Sequence, residues 1–303
     1  MNVPGDTKRT WRSLQRWRLA SQITALAVLS VIPLLNWYGI HWLIGTLYSL
    51  SLGELVIMDP LMALQTVLLN ANIWLGLIIA AGVPALLALL LGRVFCSWLC
   101  PHNTITEWFD LLKRKLFRHA WYLEHKKRIA GNPTPLRYWL IFSGLIVLML
   151  LLGFPIFGYL SPPGIISTAI AHAMTGHGVP LEFTLVLVIL LVEAVIGKRY
   201  WCNLLCPVGA MLSLFRTRNT LAVRHDPALC DCKGDIAPCH FICPLNLSPK
   251  SENLYPFCYN CGLCVSVCEK TGSRSLSLRY GAYEYRTQNA PASCGTENCP
   301  LSQ

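Results

Sequence analysis

What this chain lacks most plainly is charge. Only 13% of its 303 residues are Asp, Glu, Lys or Arg, about half the roughly 25% usual in soluble globular domains. Hydrophobic residues make up 54% and the mean hydropathy is +0.47, a membrane composition. Lys and Arg are absent from residues 40–70 and 159–181. Nucleophile triads, phosphate-binding loops and nucleic-acid motifs are also missing, which argues against hydrolytic or transferase chemistry. A net charge of +10 could suggest nucleic acid, but where the basic residues fall says otherwise. What the chain does have is cysteine: 14 residues, in a sequence too long and apolar for a small secreted disulfide scaffold.

Four apolar runs, about 19–39, 72–92, 138–158 and 182–197, approach the ~20 residues a bilayer-crossing helix needs. No small-residue cleavage site closes the first run, so it reads as an uncleaved span and not a signal peptide. Residues 1–18 carry Lys8, Arg9, Arg12, Arg16 and Arg18 among Trp11 and Trp17, a juxtamembrane pattern. That segment holds 5 Lys and Arg, residues 93–137 hold 9 and residues 198–303 hold 11, together all 25. The positive-inside rule then puts both termini and every cysteine in the cytoplasm, with 40–70 and 159–181 as outer loops. The cytoplasm is also the reducing side, where thiols persist. The basic runs Lys113–Lys115 and Lys126–Arg128 suit anionic lipid headgroups.

Eight cysteines fall within Cys230–Cys268. Cys258, Cys261, Cys264 and Cys268 have the C-x2-C-x2-C-x3-C spacing of a bacterial ferredoxin half, in which the fourth cysteine ligates the other cluster. Gly262 eases the tight backbone between the first three. By the same logic Cys243, followed by Pro244, completes the set of Cys258, Cys261 and Cys264. Cys268 then completes the set of Cys230, Cys232 and Cys239. Two [4Fe–4S] clusters are the expectation, against zinc or disulfides. The Cys230-x-Cys232-x6-Cys239 spacing is irregular, and Cys294 or Cys299 could substitute for Cys232.

An internal repeat precedes this region. Arg93-Val94-Phe95-Cys96-x3-Cys100-Pro101 aligns with Arg199-Tyr200-Trp201-Cys202-x3-Cys206-Pro207, 106 residues apart and each after a pair of apolar runs. A parallel two-span repeat implies a pseudo-two-fold axis along the membrane normal. Cysteines at i and i+4 share one face of a helical turn. The four thiols could hold a third cluster or metal, cycle between dithiol and disulfide, or simply form structural Cys-Pro turns.

Other groups have weaker signals. Glu193 lies in the fourth run, where a carboxylate costs roughly 2.5–3.5 kcal/mol at the bilayer centre, so it is a candidate quinol proton acceptor; alternatively it reaches Lys198, Arg199 or water. Glu54 and Asp59 could take up protons on the outer side, or serve turn chemistry around Pro60. His172 and His177 fall in a predicted loop, which disfavours haem ligation. His240, beside Cys239, is placed to hydrogen-bond a cluster sulfur or to be simply solvated.

The whole pattern resembles the NapH/MauN membrane ferredoxins, related to the C-terminal part of NosR and to RdxA/CcoG-type proteins. The resemblance rests on Asp59-Pro60-Leu61-Met62-Ala63-Leu64-Gln65, on Phe95 to Pro101 with Ile105-Thr106-Glu107, on Cys202-x3-Cys206-Pro207-Val208-Gly209-Ala210, and on the two cluster motifs. It departs from the family in the Cys230–Cys239 spacing and in the extra Cys294 and Cys299. What the resemblance implies is a multi-pass subunit of the bacterial inner membrane, quinol-linked, feeding electrons to a periplasmic reductase. Its partners would be membrane lipid and a periplasmic ferredoxin-type or cytochrome c subunit of the NapG/NapC kind, with no nucleic acid. Such a subunit is an electron-transfer component and not a stand-alone enzyme. A maturation factor using the C-x3-C-P thiols, or an iron–sulfur redox sensor, is the alternative. The expected fold is an all-α four-helix membrane bundle built from two parallel two-span repeats, followed by an α+β ferredoxin-like domain with two [4Fe–4S] clusters. Boundaries are expected at 1–18 for a basic N-terminus, 19–223 for the membrane domain, 224–285 for the cluster domain and 286–303 for a tail.

Overall fold

The computed structural model describes residues 7–39, 43–45, 49–52, 55–70, 74–116, 134–174, 181–196, 199–230, 238–251, 254–270 and 275–281. Helix α1 spans Thr7–Trp37, and a three-stranded antiparallel meander follows: β1 Leu43–Gly45, β2 Ser49–Leu52 and β3 Leu55–Met58. Next come α2 Pro60–Asn70, α3 Leu75–Leu91, α4 Val94–Trp98 and α5 Pro101–Leu116. The second half contains α6 Pro135–Leu152, α7 Ile156–Leu160, α8 Pro162–Met174, α9 Leu181–Ile196, a π-helical turn Trp201–Leu205 and α10 Pro207–Leu214. The C-terminal unit is β4 Ala222–His225, α11 Pro238–Phe241, α12 Leu263–Lys270 and β5 Leu276–Arg279. Its two strands pair antiparallel, from Ala222 opposite Arg279 to His225 opposite Leu276. The strand that opens this unit begins at Ala222.

Proline sets many of these starts. Helices α2, α5, α6, α8 and α10 all begin on proline, which has no amide hydrogen to lose and a φ already suited to a first helical turn. The Pro of each C-x3-C-P motif is thus a helix start, and Cys206 sits at the N-cap in extended conformation, φ −67° and ψ 110°. Gly92 and Gly153, both at positive φ, end α3 and α6.

Two segments, Leu14–Leu35 of α1 and Pro135–Leu152 of α6, are long and apolar enough to cross a membrane. Helices α3 and α9 are apolar but shorter, at 17 and 16 residues or about 25 Å each. Large apolar side chains stand on the surface: Leu75, Ile78, Leu86 and Leu87 of α3, and Leu140 and Leu151 of α6, are all exposed.

The segments read as outer loops contain regular structure instead. Leu43–Gly45, Ser49–Leu52 and Leu55–Met58 form the meander and Pro60–Asn70 forms α2, which packs on α3, α7 and α10. Residues 156–174 form α7 and α8, and α8 packs on α1, α5 and α9. Each of α2 and α8 is too short to span a bilayer, so span-length reasoning discards it. A helix enclosed by other helices needs only partners for its apolar faces.

The body and the cysteine-rich unit share one core. It joins Leu61 of α2, Tyr138, Phe142 and Met149 of α6, and Val208 and Leu212 of α10 to Phe257, Val265 and Leu276. Polar contacts then fix the cysteine loop 256–261. Arg93 Nη1 donates to the carbonyls of Pro256 at 2.7 Å and Phe257 at 3.3 Å. Ser97 Oγ donates to Tyr259 O at 2.8 Å. Asn260 Nδ2 donates to Leu91 O at 3.0 Å and to Leu221 O at 2.6 Å. Gln15 Nε2 donates to Cys261 O at 3.2 Å.

Glycine 209 permits this arrangement. A Cβ there would stand 2.1 Å from Arg93 Nη2. Gly209→Ala is expected to displace the Arg93 guanidinium and cost about 1–3 kcal/mol, the usual range for overpacking. Thermal melts of the detergent-solubilised protein check this, and an unchanged midpoint contradicts it.

Arg18, read from the sequence as one of the basic residues of a juxtamembrane segment, is buried. It forms a two-pronged ion pair with Glu107 of α5, whose Oε2 also accepts from Gln22 Nε2 at 3.1 Å. Burial acts to raise the Glu107 pKa, but the Arg18 hydrogen bond and charge outweigh it, leaving the carboxyl below its usual 4.5. A lowered carboxylate pKa contributes stability that is complete above about pH 4.5 and lost as pH falls through the folded value. Glu107→Gln should therefore cost about 3–5 kcal/mol near neutrality, the range for breaking a buried pair. It should also flatten the acid limb of the stability curve; melts from neutral pH down to about pH 3 read both effects.

Candidate functional site

Cys243 follows α11, Cys258 and Cys261 lie on the clamped loop, and Cys264 sits in the first turn of α12. These four thiols line one partly open pocket of about 390 Å³, whose other walls include Val223, Leu245, Leu254 and Tyr259. Asn260 at φ 54° and Gly262 at φ 72° fold the chain back twice so that successive thiols face the same space. The second set stands next to it. Cys239 of α11 is close enough to Cys268 and Cys230 for their charges to act on it, and Cys264 feels Cys239 as well as its own neighbours. Cys268, on α12, is buried with its Sγ 3.2 Å from Ser275 Oγ. Cys232 lies outside the described residues, as do Cys294 and Cys299.

The donor set suits a polynuclear cluster. Among the described residues, no three Cys, His, Asp or Glu side chains are grouped to hold a single metal ion. Zinc would draw its thiolates to about 2.3 Å from one point. Four cysteines on the wall of one pocket are the donor number and type that a [4Fe–4S] core takes. Burial pushes the Cys243 thiol up to about 12 and those of Cys239 and Cys261 up to about 11. Unliganded, these groups are neutral thiols; metal binding takes thiolates and so releases protons.

A second, partly open pocket of about 430 Å³ lies between the two C-x3-C-P modules. Cys96, Cys100, Cys202 and Cys206 all face it, with Arg93, His102, Asn103, Trp201 and the Pro162–Pro163 start of α8. Burial raises all four thiols, Cys206 to about 12. Arg93 and Arg199, each three residues before a motif cysteine, are both buried. Arg199 donates to Asn103 Oδ1, to Tyr259 Oη at 3.2 Å and to Asp110 Oδ2 at 3.0 Å. Tyr259 lines both pockets.

Comparison with known proteins shows what the chain resembles. A family model described as a 4Fe-4S binding domain matches residues 72–118 and 179–221, the two segments that hold the C-x3-C-P motifs. The ferredoxin-type protein NapH of Haemophilus influenzae is 29% identical over 270 residues, covering 83% of this chain and 85% of NapH. NapH of Escherichia coli is 28% identical over 281 residues, covering 88% and 90%. The methylamine utilization ferredoxin-type protein MauN of Paracoccus denitrificans is 27% identical, covering 86% and 78%. These similarities support a NapH/MauN ferredoxin-type kinship for the chain. No solved structure matches it. The 4Fe-4S domain match and the ferredoxin-type relatives support an iron–sulfur electron-transfer protein.

The remaining sequence candidates fall as follows. Glu193 is in α9, 6% exposed, and its Oε1 accepts from the Trp201 amide at 2.7 Å. Its Oε2 faces His102 Nε2 at 3.7 Å. Glu193 therefore holds the start of the Cys202 turn. Asp59 caps α2, accepting from the Leu61 amide at 3.1 Å, and stands close enough to Cys96 for its charge to act there. The turn-chemistry reading of Asp59 describes that contact. His172 is on α8, a helix and not the loop read from sequence, and His240 is half-buried on α11 beside Cys239. Glu54, His177, Lys198 and Lys126–Arg128 lie outside the described residues.

His102 and Tyr259 escaped the sequence reading. His102 follows directly on Cys100-Pro101, and its Nδ1 lies 3.7 Å from Cys202 Sγ in the other module. Tyr259 is flanked by Cys258 and Asn260. The available signal was position relative to the motifs; contact across modules has no signature in sequence.

Proposed function

We propose that this chain is a membrane-embedded subunit that takes electrons from quinol and passes them through two [4Fe–4S] clusters toward a periplasmic reductase system. The observation that carries the reading is the joining of a ferredoxin-type unit, four of whose cysteines share one pocket, through a common core to a helical body with an apolar exterior. An exposed apolar surface of this extent has no stable place in water, and a bilayer provides its natural cover. Cys243, Cys258, Cys261 and Cys264 would hold one cluster. Cys230, Cys232, Cys239 and Cys268 would hold the other. Such clusters supply one-electron transfer, at potentials from about −700 to +450 mV depending on burial and hydrogen bonding. The chain's part is to exclude water, hold the thiolates and fix the distance between centres. The parallel repeat, with four spans and both termini in the cytoplasm, is the topology that fits the distribution of Lys and Arg. A ferredoxin-type or cytochrome c protein on the periplasmic side is the partner such a relay requires.

A quinol releases two electrons and two protons on oxidation, so the clusters would accept its electrons one at a time. Anaerobic protein reconstituted in lipid and mixed with a reduced short-chain quinol should show bleaching of cluster absorbance within a turnover time, on the order of a second or less. Clusters that dithionite reduces but quinol leaves oxidised would rule out the quinol-linked role.

A further inference from the structure

We propose that the two clusters have unequal reduction potentials, and that Arg18, Arg93 and Arg216 of the helical body make the cluster of Cys243, Cys258, Cys261 and Cys264 the first to be reduced. This rests on the two-cluster reading above and adds to it the order in which the centres fill.

Each one-electron reduction makes a [4Fe–4S] core one unit more negative, so a fixed cation nearby favours the reduced state and raises the potential. A buried cation counts for more, because water and salt screen it less. Three guanidinium groups stand around the Cys258–Cys261 loop. Arg93 is 4% exposed and donates to Phe257 O, the carbonyl next to Cys258, at 3.3 Å. Arg18 is 6% exposed, and its Nε donates to Gln15 Oε1 at 2.9 Å. The same Gln15 donates to Cys261 O, which ties Arg18 to that cysteine through one side chain. Arg216 lies over the Tyr255 ring, 5.1 Å from its centroid and three residues ahead of Cys258. Arg93 and Arg216 are both close enough for their charges to act on Cys258, and Arg18 on Cys261. Glu107 pairs with Arg18 and opposes it, but acts on Cys261 less strongly than Arg18 does. Among the described residues no carboxylate pairs with Arg93 or Arg216.

The other set is surrounded differently. Residues 254–264 contain no Asp or Glu, whereas Asp231 and Asp235 flank Cys232 in the sequence, with Lys233 offsetting one of them, and Glu269 follows Cys268. Lys250 acts on Cys239, but it is half-buried and its charge is partly screened by solvent. Ser275 Oγ lies 3.2 Å from Cys268 Sγ. A metal-bound thiolate has no proton, so the hydroxyl donates, and that bond also raises the potential. One hydroxyl dipole is a weaker field than three guanidinium charges, two of them buried.

The three arginines come from separate parts of the body: α1, the junction of α3 with α4, and the segment after α10. The body therefore sets the potential of the cluster packed against it, and the first electron to arrive rests there. The cluster of Cys230, Cys232, Cys239 and Cys268 fills second.

The test is a potentiometric titration of the full-length protein, anaerobically purified in detergent, with dithionite as reductant and EPR as readout. Cys243→Ser should remove the signal of higher midpoint, and Cys268→Ser the signal of lower midpoint. Arg216→Gln should move the higher midpoint down with iron content unchanged and leave the lower one in place. Arg216→Lys, which restores the charge, should return the midpoint toward the parent value. Lys250→Gln should move only the lower midpoint. Loss of iron in Arg216→Gln, or midpoints that stay where they were, would make Arg216 a packing residue and overturn its part in the ordering. A higher-midpoint signal that disappears in Cys268→Ser, or two separable signals sharing one midpoint, overturns the ordering and leaves both clusters standing. If Cys243→Ser and Cys268→Ser abolish one and the same signal, the two-cluster reading falls and the ordering falls with it.

Discussion

Cys243→Ser is expected to strip the cluster whose other ligands lie at least 15 residues downstream, while Cys268→Ser strips the one whose ligands lie upstream. Each variant should lose about four irons, because each would remove one [4Fe–4S] centre. The reason is geometric. Cys243 shares a pocket with Cys258, Cys261 and Cys264, whereas Cys268 lies near Cys239, which lies near Cys230. Alkylation after purification separates this crossed scheme from a local one. In Cys243→Ser, Cys258, Cys261 and Cys264 should become labelled while Cys230, Cys239 and Cys268 stay protected. The opposite pattern would mean that each motif holds its own cluster, and the crossing would be wrong. Serine keeps the volume and removes the soft donor, so a folding defect should be small beside the loss of iron.

Arg93→Met should have the largest effect on stability. The guanidinium holds the carbonyls of Pro256 and Phe257, just ahead of Cys258, and the carbonyl of Cys202 in the other module. Each buried carbonyl left without a donor costs about 1–3 kcal/mol, so a total of roughly 3–5 kcal/mol is expected before any change in cluster occupancy. Arg93→Lys should recover only part of this, because an ammonium cannot present a planar fork to separate acceptors. Iron held by Cys258, Cys261 and Cys264 should fall along with the melting temperature, since the same contacts fix that loop on the body. If the midpoint stays within about 1 kcal/mol of the parent, expressed as stability, Arg93 does not act as the clamp.

Much of this was legible in the chain. The regular C-x2-C-x2-C-x3-C spacing is a local code, because short gaps dictate which thiols can face one small object. The four apolar runs coincide closely with α1, α3, α6 and α9, since helix length and apolar length are one quantity along a chain. The prolines of the Cys-Pro pairs mark helix starts that the structure contains. The enclosed helices α2 and α8 were missed because neither is long enough to look like a span, and their burial depends on neighbours from the opposite half of the chain.

The basic residues show the same division. Counting Lys and Arg treats all as equal, yet Arg18, Arg93 and Arg199 are buried and bonded within the protein. The repeat of Arg three residues before each cysteine was visible, but not what the two arginines hold. Sequence alone determined the cofactor chemistry, the apolar lengths and the duplication of the motif, because each is written in spacing along the backbone. Only the tertiary structure decided that the two modules share a single pocket, that Tyr259 divides it from the ferredoxin-type pocket, and that Arg93 joins the two units. Those are contacts between residues 60 to 164 positions apart, and they exist only where packing brings distant segments together.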